Sequence, residues 1–339
     1  MNKLKSLVII ILVIVLTACF TSKDPKKEVI FLQGLTMGTT YNIKLVVKND
    51  SIKIETLQGE IDSLLKQVNQ EMSTYIPTSE LSLFNKSQST EPVEISPGLQ
   101  RVIKESIRLG QMSEGKLDIT IGPLVNLWGF GPQNRPETVP SDKMLAATKG
   151  RIGLKFLSLE GNKLTKAIPE LYVDLSTTAK GYGVDVVAEL IEKKGIQNYL
   201  VEIGGEMRVK GFKASGELWV IAIEKPMTDV RSIHQFIVPK DNAVATSGDY
   251  RNYFEVEKMR FSHIIDPDTG KPINHKLVSV TVIHPSSMTA DGLSTAMMVM
   301  GEDKAFEFAN QHDIAAYIIS KTDNGFKEQI TVKFIPFLK

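Results

Sequence analysis

The sequence predicts an α+β domain of mixed sheet and helices, and three observations carry that prediction. Helical periodicity concentrates in the first half of the chain, where Ile54, Leu57, Ile61, Leu64, Leu65, Val68 and Met72 recur at one-face spacing. Short β-prone runs dominate from Tyr199 onward. The two kinds of element do not alternate regularly, which argues against a parallel βαβ sheet. No repeat, low-complexity tract or linker follows residue 30, so 31–339 reads as one domain, although 339 residues could hold two.

Taken in order, a Val-Ile-Phe-Leu segment and Tyr41–Val47 read as strands around the turn Met37-Gly38-Thr39-Thr40. Residues 54–72 form the amphipathic helix. Ser96-Pro97 is an N-cap with a first-turn proline, opening a helix through about Met112. A further helix follows Ser141, and another runs from Gly183 to the stop signal at Gly195. Strands are expected at 199–203, 218–223, 233–238, 278–283 and 315–319, with helices near 289–300 and 303–312.

The N-terminus speaks to location. Lys3 and Lys5 precede the apolar run Leu7–Leu16, which is short for a bilayer span. Leu16-Thr17-Ala18-Cys19 then closes it with the only cysteine in the chain. Residues 1–18 read as a secretory signal and 19–30 as a polar tether. Leu-Thr-Ala-Cys looks like a bacterial lipobox, in which Cys19 is lipidated and anchors an exported, periplasm-facing protein. Phe20 leaves the choice between inner and outer membrane open. The alternative is an uncleaved anchor with a stray cysteine. One cysteine excludes an internal disulfide, so the core must hold the fold. Losing Lys3 and Lys5 moves the formal charge from +1 to −1, which argues against nucleic acid as a partner.

Residues 171–183 carry the densest chemistry. An apolar run ends at Asp174, passes through Thr177 and Lys180, and breaks at Gly181 and Gly183. That order predicts a strand-to-helix turn whose backbone groups and cation could meet a phosphorylated ligand. Downstream, Asp291 and Thr295 lie four apart near a helix start, so they share a face. A carboxylate and a hydroxyl are hard ligands suited to Mg²⁺; the competing reading is that Asp291 merely caps the helix. His263, on a strand leading into Asp266-Pro267-Asp268-Thr269-Gly270, could act as a general base or be a structural histidine. The other histidines lack zinc-site spacing. Asp118–Pro132 mixes aromatics and glycines, as a wall for a planar ring would or as ordinary core packing would. Residues 245–253 form another polar-aromatic turn or a hairpin. Neither a Rossmann fingerprint nor a Walker loop is present.

In combination these segments resemble the FAD:protein FMN transferase family, ApbE, over essentially the whole mature chain. The ordered blocks are Met37–Tyr41, Glu71–Tyr75 leading to Ser79-Glu80-Leu81, Asp118–Pro132 and Asp174–Gly183. Glu202–Gly205, Thr246–Asn252, Ser262–Asp266 and Ala290–Thr295 follow. The resemblance implies an α+β flavin transferase domain that cleaves FAD and releases AMP. FMN then passes through a phosphoester to a Thr or Ser of an acceptor protein, such as a membrane electron-transfer subunit. By position it implies Mg²⁺ ligands at Asp291, Thr295 and the Thr177 carbonyl. FAD contacts are implied at Met37, Tyr75, Lys116, Leu117, Asp118, Asp174, Lys180 and Ile265, with His263 as the general base. Departures from commoner family forms are Thr177-Thr178, Gly292, Asp268 and Ser294, the last replacing an acid in some members. A Mg²⁺-dependent FAD pyrophosphatase would use the same residues, with water in place of the acceptor hydroxyl. A non-catalytic flavin-binding lipoprotein would have little use for the metal ligands.

Overall fold

The computed structural model describes residues 27–48, 53–131, 139–227, 232–249, 253–256 and 259–339. The signal segment, Cys19 and most of the tether therefore lie outside the described residues, as do Tyr250–Asn252.

The main sheet contains β1 (Lys27–Thr36), β2 (Thr39–Lys48), β3 (Tyr199–Ile203), β4 (Glu206–Lys210), β5 (Ala243–Gly248), β6 (Leu277–His284), β7 (Ala315–Thr322) and β8 (Gly325–Ile330). Spatial order follows chain order, β1 through β8, and every neighbouring pair is antiparallel. Between β2 and β3 lie the helices α1 (Ile54–Met72), α2 (Glu80–Lys86), α3 (Pro97–Met112), α4 (Gly122–Leu127), α5 (Asp142–Lys149) and α6 (Ala179–Lys193). The helices α7 (Ser287–Met300) and α8 (Glu302–Gln311) connect β6 to β7. The result is the expected α+β domain, with irregular insertions on an antiparallel frame.

The apolar stripe of α1 buries Leu57, Ile61 and Leu65 with Val184, Val187 and Ile191 of α6 against β1–β3. Further along the same face of the sheet, α7 and α8 pack on Val280, Val282, Ala316 and Ile318. Alternate residues of β6 and β7, among them Ile283, Tyr317 and Ile319, face the opposite side and are covered by Phe334 near the C-terminus. This two-sided burial explains why β6 is buried almost throughout, Ser279 and Thr281 included. Capping follows the sequence signals: Ser96 accepts from the Leu99 amide at 3.4 Å and Ser141 from Met144 at 3.3 Å.

Three local expectations are corrected. The apolar run that ends at Asp174 forms no strand; Leu171, Val173 and, just beyond it, Leu175 pack in the core with Leu99, Val102 and Ile103 of α3. In place of a strand partner, the Asn85 side chain of α2 donates to the Val173 carbonyl and accepts from the Val173 amide, each at 2.8 Å, and the Asp174 amide donates to the Ile119 carbonyl at 2.7 Å. The helix expected from Gly183 begins at Ala179, so both glycines fall inside it. The 218–223 strand is shorter, Ile221–Glu224, and pairs with Ile233–Ile237 in a separate two-stranded sheet.

Candidate active site

One end of the sheet brings four segments together. The β1–β2 turn places Met37 and Gly38 in the left-handed region, at φ 49° and 72°, the geometry of a two-residue hairpin. The Met37 methyl lies over Gly183, where a Cβ would come within 2.9 Å of it. The β3–β4 turn, Gly204-Gly205, has φ 60° and 109°, and a Cβ on Gly204 would sit 2.8 Å from the Thr39 methyl and 3.5 Å from Lys180 Cδ. Glycine is required there by both backbone and space.

Lys180, in the first turn of α6, pairs through Nζ with Glu206 Oε2 at 2.7 Å. Asp291 stands nearby on α7, 4% exposed, and accepts from the Gly181 amide at 3.0 Å. Burial pushes the Asp291 carboxyl well above the usual carboxylate range, the Glu206 charge adds to this, and Lys180 opposes it. Burial likewise raises Glu206, against the pull of Lys180. Burial opposes the charge on Lys180, but Glu206 and then Asp291 override it and hold the ammonium charged. One lysine facing two buried carboxylates leaves an excess of negative charge, an environment that favours a further cation.

The helix start settles what Asp291 does locally. Ser286, not Asp291, caps α7, its hydroxyl accepting from the Thr289 amide at 3.3 Å. Asp291 is one turn inside, so the capping reading is wrong for it. Thr295 lies one turn further along and contacts Ser247 Oγ of β5 at 3.1 Å. Ser247 also meets Ser294 Oγ at 2.8 Å, and Ser294 donates to the Asp291 carbonyl at 2.9 Å. The Thr177 hydroxyl is buried without a protein partner. Carboxylate, hydroxyl and carbonyl oxygens are the donor set a hard divalent ion takes, so the residues present fit Mg²⁺. Among the described residues no group of three or more His, Cys, Asp or Glu side chains gathers as a soft-metal or all-carboxylate cage would.

A second group borders a cleft of about 330 Å³ lined in part by Gly115, Asp118, Lys149, Gly153 and Asp268. Burial raises the Asp118 carboxyl, partly offset by the Thr120 amide at 2.8 Å and hydroxyl at 2.6 Å. Lys116 bridges Asp266 at 3.0 Å and Asp268 at 2.7 Å. Leu117 turns into the core, where its side chain would lie 3.5 Å from a Cβ on Gly292 of α7. Ile265 is also a core residue, packed with Leu124, Trp128 and Ile152. The Trp128 indole donates to the Gly270 carbonyl at 2.9 Å, so this aromatic segment serves core packing at Trp128.

A third group is aromatic. Tyr75 is largely exposed; its partial burial and the Asp174 charge raise its hydroxyl pKa, and both act on Tyr172 too. Gly122 permits this packing, since a Cβ there would strike the Tyr172 ring at 2.5 Å. The Asp174 amide reaches Ile119, one residue from Asp118, which joins this group to the cleft. His263 stands edge-on to Phe130, ring centroids 6.3 Å apart. The structure thus gathers Lys180, Asp291, Thr295 and Met37 at one centre. It places Asp118 along the cleft with Lys116 paired to Asp268 of its lining, Tyr75 and Asp174 at the aromatic rim, and His263 by Phe130. Sequence reasoning passed over Glu206 and Ser247. The two-glycine turn before Glu206 was the available signal, since a tight hairpin there returns β4 alongside β3.

The class of protein is a group-transfer enzyme, since residues 37–318 match the ApbE family, to which the chain belongs. It is 56% identical over 311 residues to the FAD:protein FMN transferase of Vibrio cholerae, covering 92% of this chain and 93% of that protein. To the Haemophilus influenzae FAD:protein FMN transferase it is 48% identical, covering 95% of each. The solved structure of the flavin transferase ApbE from Vibrio cholerae superposes with a TM-score of 0.86 at 54% identity, over 92% of this chain and all of that one. The chain is accordingly a transferase.

Proposed function

We propose that the protein is a Mg²⁺-dependent FAD:protein FMN transferase that releases AMP and leaves FMN on a Thr or Ser of an acceptor protein through a phosphoester. The carrying observation is the buried Lys180–Glu206–Asp291 cluster beside Thr295, a charge arrangement that favours a cation and a pyrophosphate together. When bound at Asp291, Thr295 and the Thr177 carbonyl, Mg²⁺ would neutralise charge developing on the pyrophosphate. Lys180 supplies a second, fixed positive charge on the same group. Met37, Tyr75, Lys116, Leu117, Asp118, Asp174 and Ile265 would line the path of FAD along the cleft, Tyr75 offering a ring face and Asp118 a hydrogen-bonding carboxyl. His263 would accept the proton of the acceptor hydroxyl as the new phosphorus–oxygen bond forms and the bond to AMP breaks. A non-catalytic binder would not need a carboxylate buried at energetic cost against Glu206, which favours the enzyme reading.

The protein would act exported and anchored by lipid on Cys19 to a bacterial membrane, close to membrane-bound acceptor subunits. Incubating it with FAD, Mg²⁺ and a protein carrying an Asp-x-x-Ser/Thr-Gly-Ala-Ser/Thr segment tests the reading by intact mass. The expected result is a gain of one FMN on the acceptor, with equimolar AMP, abolished by EDTA. Free FMN and AMP with every acceptor of a panel unmodified would make it a pyrophosphatase instead.

His263→Ala is expected to bind FAD within about threefold of wild type while transfer falls by roughly 10²–10⁴, the usual contribution of a general base. Titrating flavin fluorescence and timing acceptor labelling on the same preparation separates the two effects, and wild-type labelling would remove His263 from the chemistry.

A further inference from the structure

Lys180 is on α6, Glu206 on β4, and Asp291 and Thr295 on α7, and a single buried carboxylate ties those three elements together. Asp185, wholly buried on α6, accepts from the Ser286 hydroxyl at 2.7 Å and the Met288 amide at 3.0 Å through Oδ2. Its Oδ1 accepts from the Ser287 amide at 3.0 Å and from Arg208 Nη1 on β4 at 3.1 Å. Three of its four donors thus belong to the start of α7, where the first amides have no partner within the helix. The fourth, Arg208, also reaches Glu192 of α6 at 3.1 Å. Close beside this junction α6 and α7 touch backbone to backbone, as a Cβ on Gly181 would meet the Ser287 carbonyl oxygen at 2.4 Å.

We propose that Asp185 is a positioning residue for the metal centre, holding α7 so that Asp291 and Thr295 face Lys180 and Glu206 at the separation the divalent ion needs. This rests on the Mg²⁺ site proposed above. The carboxylate is the suitable group because both oxygens accept twice over and neither could donate. An asparagine would keep one accepting oxygen and turn an NH₂ toward either two α7 donors or an amide and Arg208. The first turn of α7 would then rotate or withdraw, and Asp291, one turn away, would move with it.

Mn²⁺ is a spectroscopic stand-in for the ion, and its binding requires neither FAD nor acceptor. Asp185→Asn is expected to weaken Mn²⁺ binding, followed by electron paramagnetic resonance of the free ion, by roughly 10- to 100-fold, the scale on which loss of a group that orients metal ligands acts. Its far-ultraviolet circular dichroism should match wild type, and saturating Mg²⁺ should restore most of kcat. Ser286→Ala removes one of the four donors and should weaken Mn²⁺ several-fold with the fold intact. Mn²⁺ affinity within twofold of wild type in folded Asp185→Asn would overturn the proposal. So would wild-type affinity in Ser286→Ala, should Asp185→Asn fail to fold. A wild-type protein that binds no Mn²⁺ would instead sink the metal site itself, and this role with it.

Discussion

Asp291→Asn is expected to lose Mg²⁺-dependent transfer by at least about a thousandfold, roughly 4 kcal/mol of transition-state stabilisation, yet to unfold at no lower temperature than wild type without metal. The two halves have one cause. In the folded protein Asp291 is buried beside Glu206, and its carboxyl is displaced well above the ordinary range. A carboxyl raised by folding destabilises the fold at neutral pH, and this penalty fades as pH falls toward the value of the unfolded chain. Asparagine removes the penalty while still accepting from the Gly181 amide, so the apoprotein gains or holds stability. It also removes the formal charge that a divalent ion would balance. Thermal unfolding with and without Mg²⁺ checks both halves: the wild type should gain melting temperature on adding the ion and the variant should not. A variant that still transfers FMN at the wild-type rate would refute the metal role of Asp291.

Gly181→Ala is expected to be severely damaging for a change of a single methyl. The added carbon would lie 2.4 Å from the Ser287 carbonyl oxygen, 2.6 Å from its carbon and 2.7 Å from Met288 Cα. All three are backbone atoms, so no rotamer change relieves the contact; α6 and α7 must move apart. Alanine favours helix by about 1 kcal/mol over glycine, but overpacking of this kind costs about 1–3 kcal/mol or more, and here it also breaks a link within the site. Separating the helices pulls the Gly181 amide from Asp291 and strains the Asp185 contacts to Ser287 and Met288. The expected outcome is a melting temperature lower by roughly 5 °C and loss of most transfer activity even at high Mg²⁺. Gly59→Ala, on the exposed side of α1 where a Cβ meets nothing within 4 Å, is the matched control and should unfold at or above the wild-type temperature. Equal melting temperatures for Gly181→Ala and wild type would show that the helices can part without cost.

What was legible in the sequence was what local rules decide. The stripe of α1 gave its boundaries, because one helical face against a sheet leaves a 3.6-residue period. Ser96-Pro97 and Ser141 marked helix starts because capping is a local hydrogen bond. Around the site the local rules misled. Gly181 and Gly183 read as helix breakers, whereas they lie inside α6 because α7 and Met37 leave no room for side chains. Asp291 read as a possible cap, but α7 begins earlier, at Ser286, whose amide neighbours are held by Asp185 a hundred residues away. The strand expected to end at Asp174 has the alternation of one, yet its backbone is held by the Asn85 side chain and Ile119 and not by a sheet partner. Partners distant in sequence, such as Glu206 for Lys180 and Ser247 for Thr295, had no nearby pattern to announce them.

The run of the main sheet has a consequence for how the chain folds. β2 and β3 are neighbours, with Tyr41 opposite Ile203, yet α1 through α6 are strung between them. Every other step of the sheet closes a shorter loop, so this junction has the largest sequence separation and contributes heavily to a high contact order. Met37 lies before the excursion, Lys180 near its end and Glu206 after it. The Lys180–Glu206 pair and the Met37 contact beside it therefore cannot assemble until this longest-range pairing of the main sheet is complete. Recovery of metal binding during refolding would accordingly trail the return of helical signal, and a ligand captured there would report the finished protein, not a fragment of it.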